Sequence, residues 1–439
     1  MRQRSRGRVT LAGVAAMCAV MALPGGTARA EGGPGPYVFD EEAKRIQGAA
    51  VNTNAEPLEA GSTYRDTIKK DGKLYYRVDL DAKTNAYVSV VAVPKQGGKA
   101  EYGDGIKVSL ESRSNSQCSS QDALFESAGY TRPVAAYADR TVDPGSSTCQ
   151  EQGAYYVLVE RTSKATSAPD DWELEIRYDS EPALRTAGPT EAPEDWPSAS
   201  PAPPEGGPQK RVGGTSFSDA MSLGQGEWRD DIKPGQTLFY RVPVDWGQQL
   251  FVGADLGTST TSDSYIGNAF VLSLNNPARG YVDRSTVSYS GKQASTALDP
   301  LPPVAYENRY DSDNAVQAVR FAGWYYLSAT LSPELAKKYG DKSVPLTLRV
   351  NVTGKAKQGP GYDGAAGIFG VTDDDQEAAA IGQSGPGAER SGTMKLVAAA
   401  GIGAGAVLVL GLGAWTLLAR RRGAQGPQQP GGYGPPAAW

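Results

Sequence analysis

Large apolar residues alternate with polar ones along LYYRVDL (74–80) and again along LFYRVPV (238–244). Both runs carry the aromatic and β-branched residues of half-buried strands. AYVSVVAV from Ala86 and QLFVGADL from Gln249 continue the pattern, and Gly, Asp, Asn and Pro turns such as KKDGK and KPGQ separate the runs. No window shows convincing helical periodicity. Six to eight strands in roughly 140 residues predict an antiparallel β-sandwich of jelly-roll type, all-β in class. The proline in RVPVD marks an edge position or a bulge.

The pattern occurs twice. Shifted by 164 positions, Arg65, Asp66, Ile68, Lys69, Tyr76, Arg77 and Val78 meet Arg229, Asp230, Ile232, Lys233, Tyr240, Arg241 and Val242. GAYYVLVE from Gly153 then meets GWYYLSAT from Gly323, and LEIRY from Leu174 meets LTLRV from Leu346. Blocks in a common order indicate one domain duplicated, over 31–180 and 215–353. Between them, 181–214 holds eight prolines and reads as a semi-rigid polyproline spacer. The Gly- and Ala-rich stretch 354–395 reads as a stalk, in which GIFGVTDDDQEAAAIG adds a short strand or a turn of helix.

The chain ends read as targeting segments. Four arginines precede the apolar run 9–23, and Ala28-Arg29-Ala30 gives a small-x-small cleavage pattern, so 1–30 is a signal peptide. Leu396–Ala419 carries no charge and as a helix is about 36 Å long, enough to span a bilayer. Arg420, Arg421 and Arg422 follow it and place 420–439 in the cytoplasm. The expected location is therefore the cell membrane, single-pass, with the sandwiches outside.

The whole chain of 439 residues has a formal charge of −5. Setting aside the five arginines of 1–30 together with Lys395 and Arg420–Arg422 takes the remainder to about −14. Such a surface lacks the basic footprint that nucleic acid requires. Cys118 and Cys149 are the two cysteines beyond the leader, and in an oxidising space they are expected to form a disulfide. Two thiols in a chain without histidine make a poor zinc site.

The missing histidine also removes Ser-His-Asp and Cys-His catalysis. GKAKQGPG lacks the ending of a phosphate loop, and DSDN from Asp311 fails as a calcium loop because Ala315 holds the fifth position. TDDDQE from Thr372 reads as a solvated acidic turn. No enzyme, cofactor or metal is expected. The paired aromatics YY and FY suggest that outward rings stack on sugars, with Tyr76 and Tyr240 the candidate binding residues.

GKLYYRVDLDAKTNAYVSV with GAYYVLVE and WELEIRY, and GQTLFYRVPVDWGQQLFVGADL with GWYYLSAT and PLTLRVNV, resemble the bacterial pre-peptidase C-terminal domain. The resemblance implies two jelly-roll-like modules without catalytic residues. Gly72-Lys73 and Gly235-Gln236 depart from the family's acidic residue after that glycine. The leader, spacer and Arg-ended anchor are similar to those of surface proteins of high-GC Gram-positive bacteria. The expected function is non-enzymatic binding of envelope glycan or a surface protein. The alternative is an ectodomain subunit of a membrane complex, recruited through its transmembrane helix.

Overall fold

The computed structural model describes residues 35–96, 98, 100–125, 130–143, 145–259 and 265–385. The expected signal peptide, transmembrane span and tail lie outside the described residues. No described helix is long and apolar enough to cross a membrane.

The first copy contains Ser62–Ile68 (β1), Lys73–Leu80 (β2), Asn85–Val93 (β3), Gly105–Glu111 (β4), Gln117–Leu124 (β5), Val134–Arg140 (β6), Gly153–Thr162 (β7) and Trp172–Glu181 (β8). They build the sheets β1-β8-β3-β6 and β2-β7-β4-β5. The second copy contains Gly226–Ile232 (β9), Thr237–Val244 (β10), Gln249–Leu256 (β11), Ile266–Asn275 (β12), Tyr281–Tyr289 (β13), Ala294–Ala297 (β14), Gly323–Leu331 (β15) and Val344–Thr353 (β16). Its sheets, β9-β16-β11-β14 and β10-β15-β12-β13, repeat the first pair strand for strand. Two-residue strands at Lys44–Arg45, Glu56–Pro57, Gln209–Lys210 and Met221–Ser222 run parallel to β1, β2, β9 and β10. Each copy is thus a sandwich-like pair of sheets.

Alternation sets what each copy buries. Tyr76, Val78 and Leu80 of β2 meet Val88, Val90 and Ala92 of β3 and Leu174, Ile176 and Tyr178 of β8 in one core. Tyr240, Val242, Val244, Val252, Ala254, Leu346, Leu348 and Val350 do the same in the other. Pro243 lies beyond Met221–Ser222, which pair with Tyr240 and Arg241, so its missing N–H falls on the unpaired side of β10.

The shared Arg-Asp…Tyr signature has a structural reason. The Tyr76 hydroxyl donates to Asp66 Oδ2 at 2.8 Å, and the Gly48 N–H donates to the same oxygen at 2.7 Å. Tyr240 and Gly213 meet Asp230 identically, at 2.7 and 2.8 Å. A Cβ at Gly48 would lie 2.9 Å from the Tyr76 ring, and one at Gly213 2.8 Å from that of Tyr240. The aspartate therefore staples an incoming segment onto a core tyrosine in each copy. Burial pushes the Asp230 carboxyl above its ordinary range despite these bonds. The second tyrosine of the repeat acts locally, since Tyr155 and Tyr325 donate to the carbonyls of Glu151 and Phe321, four residues earlier.

The stretch expected as a stalk is packed as far as it is described. The Lys357 N–H donates to the Trp246 carbonyl at 2.8 Å, Phe369 is fully buried, and Asp373–Ile381 forms a helix (α1) on the second copy. Single anchors, Tyr362 and Phe369 among them, suffice to dock a small-residue segment. The proline-rich spacer is pinned as well: Arg185 N–H donates to Gly361 O at 2.8 Å, and Gln249 Nε2 donates to Pro197 O at 2.7 Å.

Tyr240→Phe leaves Asp230 without its hydroxyl donor and should lower stability by about 1–3 kcal/mol. Urea unfolding should show an earlier midpoint at unchanged slope; an unmoved midpoint would refute the staple.

Candidate functional site

The outer face of β1-β8-β3-β6 in the first copy is covered by the outer face of β10-β15-β12-β13 in the second. Val91 packs with Phe217, Ala220 and Phe239. Tyr87 and Tyr137 pack with Ala278, Phe321 and Phe369, Tyr87 meeting Phe321 edge-on at 5.0 Å between ring centroids. Phe217, carried on the loop before Met221–Ser222, stands 5.1 Å from Phe239 and 5.3 Å from Tyr326.

Three ion pairs join the copies across this seam. Arg279 Nη1 meets Glu175 Oε1 at 2.6 Å, the side chains being 3% and 0% exposed. Arg309 Nη2 meets Glu181 Oε1 at 2.8 Å, and Arg320 Nη2 meets Asp139 Oδ2 at 3.1 Å. The buried carboxylates are saturated with donors, as burial demands. Glu175 also accepts from the Tyr37 hydroxyl at 3.2 Å and the Asp40 N–H at 3.1 Å. Glu181 also accepts from Tyr362 at 2.8 Å, Tyr87 at 2.8 Å and Asn85 at 2.7 Å. Burial alone would raise the Glu181 carboxyl, but the Arg309 charge and the bonds from Arg309, Asn85 and Tyr362 hold it below its ordinary range.

The turn that delivers Arg279 differs between the copies in chemistry and not in shape. Arg279 has φ +61°, and Asn115, 164 positions earlier, has φ +59°. Both turns close alike: Asn276 N–H donates to Gly280 O at 2.8 Å, and Ser112 N–H donates to Ser116 O at 2.9 Å. Asparagine suits that left-handed backbone and arginine does not, so the second copy accepts local strain to put a guanidinium in the seam. Next to it, a Cβ at Gly280 would overlap the Tyr137 ring of the first copy; the counterpart in the first copy is Ser116.

Beside the seam lies a polar cleft of about 870 Å³ lined by both copies. Asp122, Asp139 and Asp143 line it from one side, and Tyr281, Asp283, Tyr310 and Asp313 from the other. Its hydroxyls, amides and carboxylates, with the guanidiniums of Arg309 and Arg320, can hold a hydroxyl-rich ligand by hydrogen bonds. Among the described residues no group of three or more His, Cys, Asp or Glu is placed to hold a metal ion.

Of the expected site residues, Cys118 and Cys149 form a disulfide, closing a separation of 31 positions in sequence and contributing about 3–4 kcal/mol on the chain-entropy account. Tyr76 and Tyr240, proposed from sequence as sugar-stacking rings, are 0% and 1% exposed. They are core residues fixed by Asp66 and Asp230, with no free face for a ligand. TDDDQE is a helix start: Thr372 and Asp375 form a capping box, and Trp324 Nε1 donates to Asp375 at 2.9 Å. The seam went unread in the sequence, although AYVSVVAV offered a signal. Every residue of that run before Val93 is buried, and a strand apolar on both faces belongs between two layers.

No protein-family model matches the chain, and no curated protein matches it. Among solved structures, tripeptidyl peptidase 2 is 7% identical with a TM-score of 0.20, covering 67% of this chain and 24% of its own. The chain thus spans about a quarter of the length of that peptidase. The CUB1-EGF-CUB2 segment of human MASP-1/3 is 6% identical with a TM-score of 0.17, covering 65% of this chain and 99% of its own. The CBM22-1-CBM22-2 tandem of Paenibacillus barcinonensis Xyn10C is 9% identical with a TM-score of 0.17, covering 72% and 100%. Likenesses at these scores carry no argument.

Arg279→Asn keeps the turn and removes the guanidinium, leaving Glu175 buried without its partner, at a cost of about 3–5 kcal/mol. Thermal unfolding should separate into two transitions with the staple of each copy intact; one unchanged transition would refute the seam. Because the folded-state pKa of Glu181 is depressed, its contribution is full at neutral pH and is lost as the pH falls below about 4. Small-angle scattering on acidification should show the two copies separating before either unfolds.

Proposed function

We propose that this protein is a non-enzymatic surface protein whose two jelly-roll modules, of pre-peptidase C-terminal type, act as one binding body for envelope glycan or a surface protein. The observation that carries this is the seam: sealed ion pairs and interlocked aromatics hold the two copies in one arrangement and so fix a cleft that neither copy forms alone. Binding without chemistry agrees with a lining of hydroxyls, amides, carboxylates and guanidiniums in a chain that has no histidine.

The proposed location is the outer side of a cell membrane, with the leader removed after Ala30 and Leu396–Ala419 as the anchor. Gly35 lies against Thr215 and Gly385 against Ser218, so the first and last described residues meet on one loop at the seam.

The second reading, an ectodomain subunit of a membrane complex, is favoured by one surface. Tyr75 and Tyr156 stand half-buried on the outer face of β2-β7-β4-β5, at the positions that Phe239 and Tyr326 occupy in the second copy's docking face. That face has no sandwich against it among the described residues.

The full-length chain in mild detergent should co-sediment with isolated cell envelope. Retention after the envelope proteins are stripped identifies glycan as the ligand; retention lost on stripping identifies a protein partner. A chain that never sediments with either preparation is not a surface-binding protein.

A further inference from the structure

We infer that the outer face of β9-β16-β11-β14 in the second copy is a docking site for an extended peptide segment of another protein, an aromatic residue followed by acidic ones. The site does not involve the cleft beside the seam. The equivalent face of the first copy shows what it would hold. There the chain's own arm, residues 37–40, crosses β1-β8-β3-β6. The Phe39 ring lies on the Arg65 guanidinium, with 3.9 Å from the guanidinium carbon to the ring centroid. The Tyr37 hydroxyl and the Asp40 N–H donate to Glu175, directly opposite Arg65. Arg65 also pairs with Glu173 at 3.1 Å, and the chain goes on into Lys44–Arg45 at the sheet edge.

In the second copy the platform persists and the arm does not. Arg229 stands where Arg65 stands, and Lys210 beside it where Arg45 stands. Glu173 corresponds to Pro345, so the ion-pair partner is gone. In place of the arm, residues 202–207 read APPEGG. They bring no aromatic ring, and a Cβ at Gly206 or Gly207 would meet nothing within 4 Å. Among the described residues no hydrogen bond, ion pair or ring reaches the side chain of Arg229 or Lys210. What lies on the face instead is a cleft of about 720 Å³, whose lining includes Pro208, Lys210, Arg229, Asp255, Thr347 and Arg349.

Charge selects the occupant. Arg349 is committed to Glu227 and Asp255, which leaves Arg229 and Lys210 as neighbouring cations without a counter-charge. A guanidinium in this position takes an aromatic ring, as Arg65 does, and the pair of cations takes carboxylates. Glu227 and Asp231 flank Arg229 along β9, so acidic groups of the segment are turned away along the strand and drawn across it to Lys210. Asp255 is 9% exposed, and its Oδ1 has no donor among the described residues. It lies directly opposite Thr347, the counterpart of Glu175, and takes the backbone N–H that Glu175 takes from Asp40.

The probe is a peptide with the arm's own sequence, GPYVFDEEAK (35–44), acetylated and amidated at its ends and titrated calorimetrically into the full-length chain in mild detergent. One peptide should bind per chain. Phe39→Ala in the peptide should weaken binding about tenfold, and so should replacing its three acids by their amides. Arg229→Gln in the chain should cost about the same while leaving thermal unfolding unchanged, and should make binding indifferent to Phe39→Ala in the peptide. Absence of binding to wild type, or binding unaffected by Arg229→Gln, overturns the site. Binding lost on Arg65→Gln and kept on Arg229→Gln also overturns it, because the peptide would then be displacing the native arm of the first copy. A concentration-dependent dimer in sedimentation that is lost on Arg229→Gln overturns it as well, giving the face to a second copy of this chain.

Discussion

Two glutamates, Glu175 and Glu181, sit fully buried between two sandwiches, and much of the molecule is arranged to satisfy them. A carboxylate in that position is tolerable only when an opposite charge and several donors surround it. The second copy supplies Arg279 and Arg309. Asn85 and Tyr87 of β3 add two donors to Glu181, and the others come from segments outside both sandwiches: Tyr37 and Asp40 from the stretch before β1, and Tyr362 from the stretch after β16. The segments flanking the sandwiches are therefore ordered by the hydrogen-bond demand of two side chains. This explains why a Gly- and Ala-rich segment with few anchors of its own lies packed against the fold.

Duplication supplied two kinds of position, and they have diverged differently. Those that fold each copy persist, with Asp66, Tyr76 and Gly48 recurring as Asp230, Tyr240 and Gly213 in the same geometry. Those that join the copies are single-sided. Asn115 and Ser116 fit an isolated turn, whereas Arg279 and Gly280 fit a turn pressed against another module. The similarity of the two repeats reports on folding, and their differences mark where they touch.

The sandwich pairs were legible because alternation, turn chemistry and an internal repeat agreed on them. The disulfide was legible because two cysteines in an oxidising space leave one pairing. The seam was not, for a physical reason visible in β8. Its outward residues Glu175, Arg177, Asp179 and Glu181 read as a solvated face, since pattern alone cannot separate a charge in water from a charge matched by a partner 104 or 128 positions away. The candidate rings failed similarly. A tyrosine in a strand pair faces either way, and the choice of Tyr76 over Tyr75 depended on which hydroxyl an aspartate held. Only β3, apolar on both faces, carried a trace of the second layer.

The register of β8 and β16 sets an end to growth by this contact. Both strands pair with equivalent partners, Trp172 opposite Ile68 and Val344 opposite Ile232, so Glu175 and Glu181 correspond to Thr347 and Thr353. A third module presenting the same arginine-bearing turn to the second copy would find hydroxyls where it requires carboxylates, and its guanidinium would be buried without a counter-charge. Head-to-tail contacts of this kind do not close on themselves and in principle propagate without limit. Here the substitution of two side chains gives the array a terminus: the gene could be lengthened by another duplication, but the stack would not extend with it.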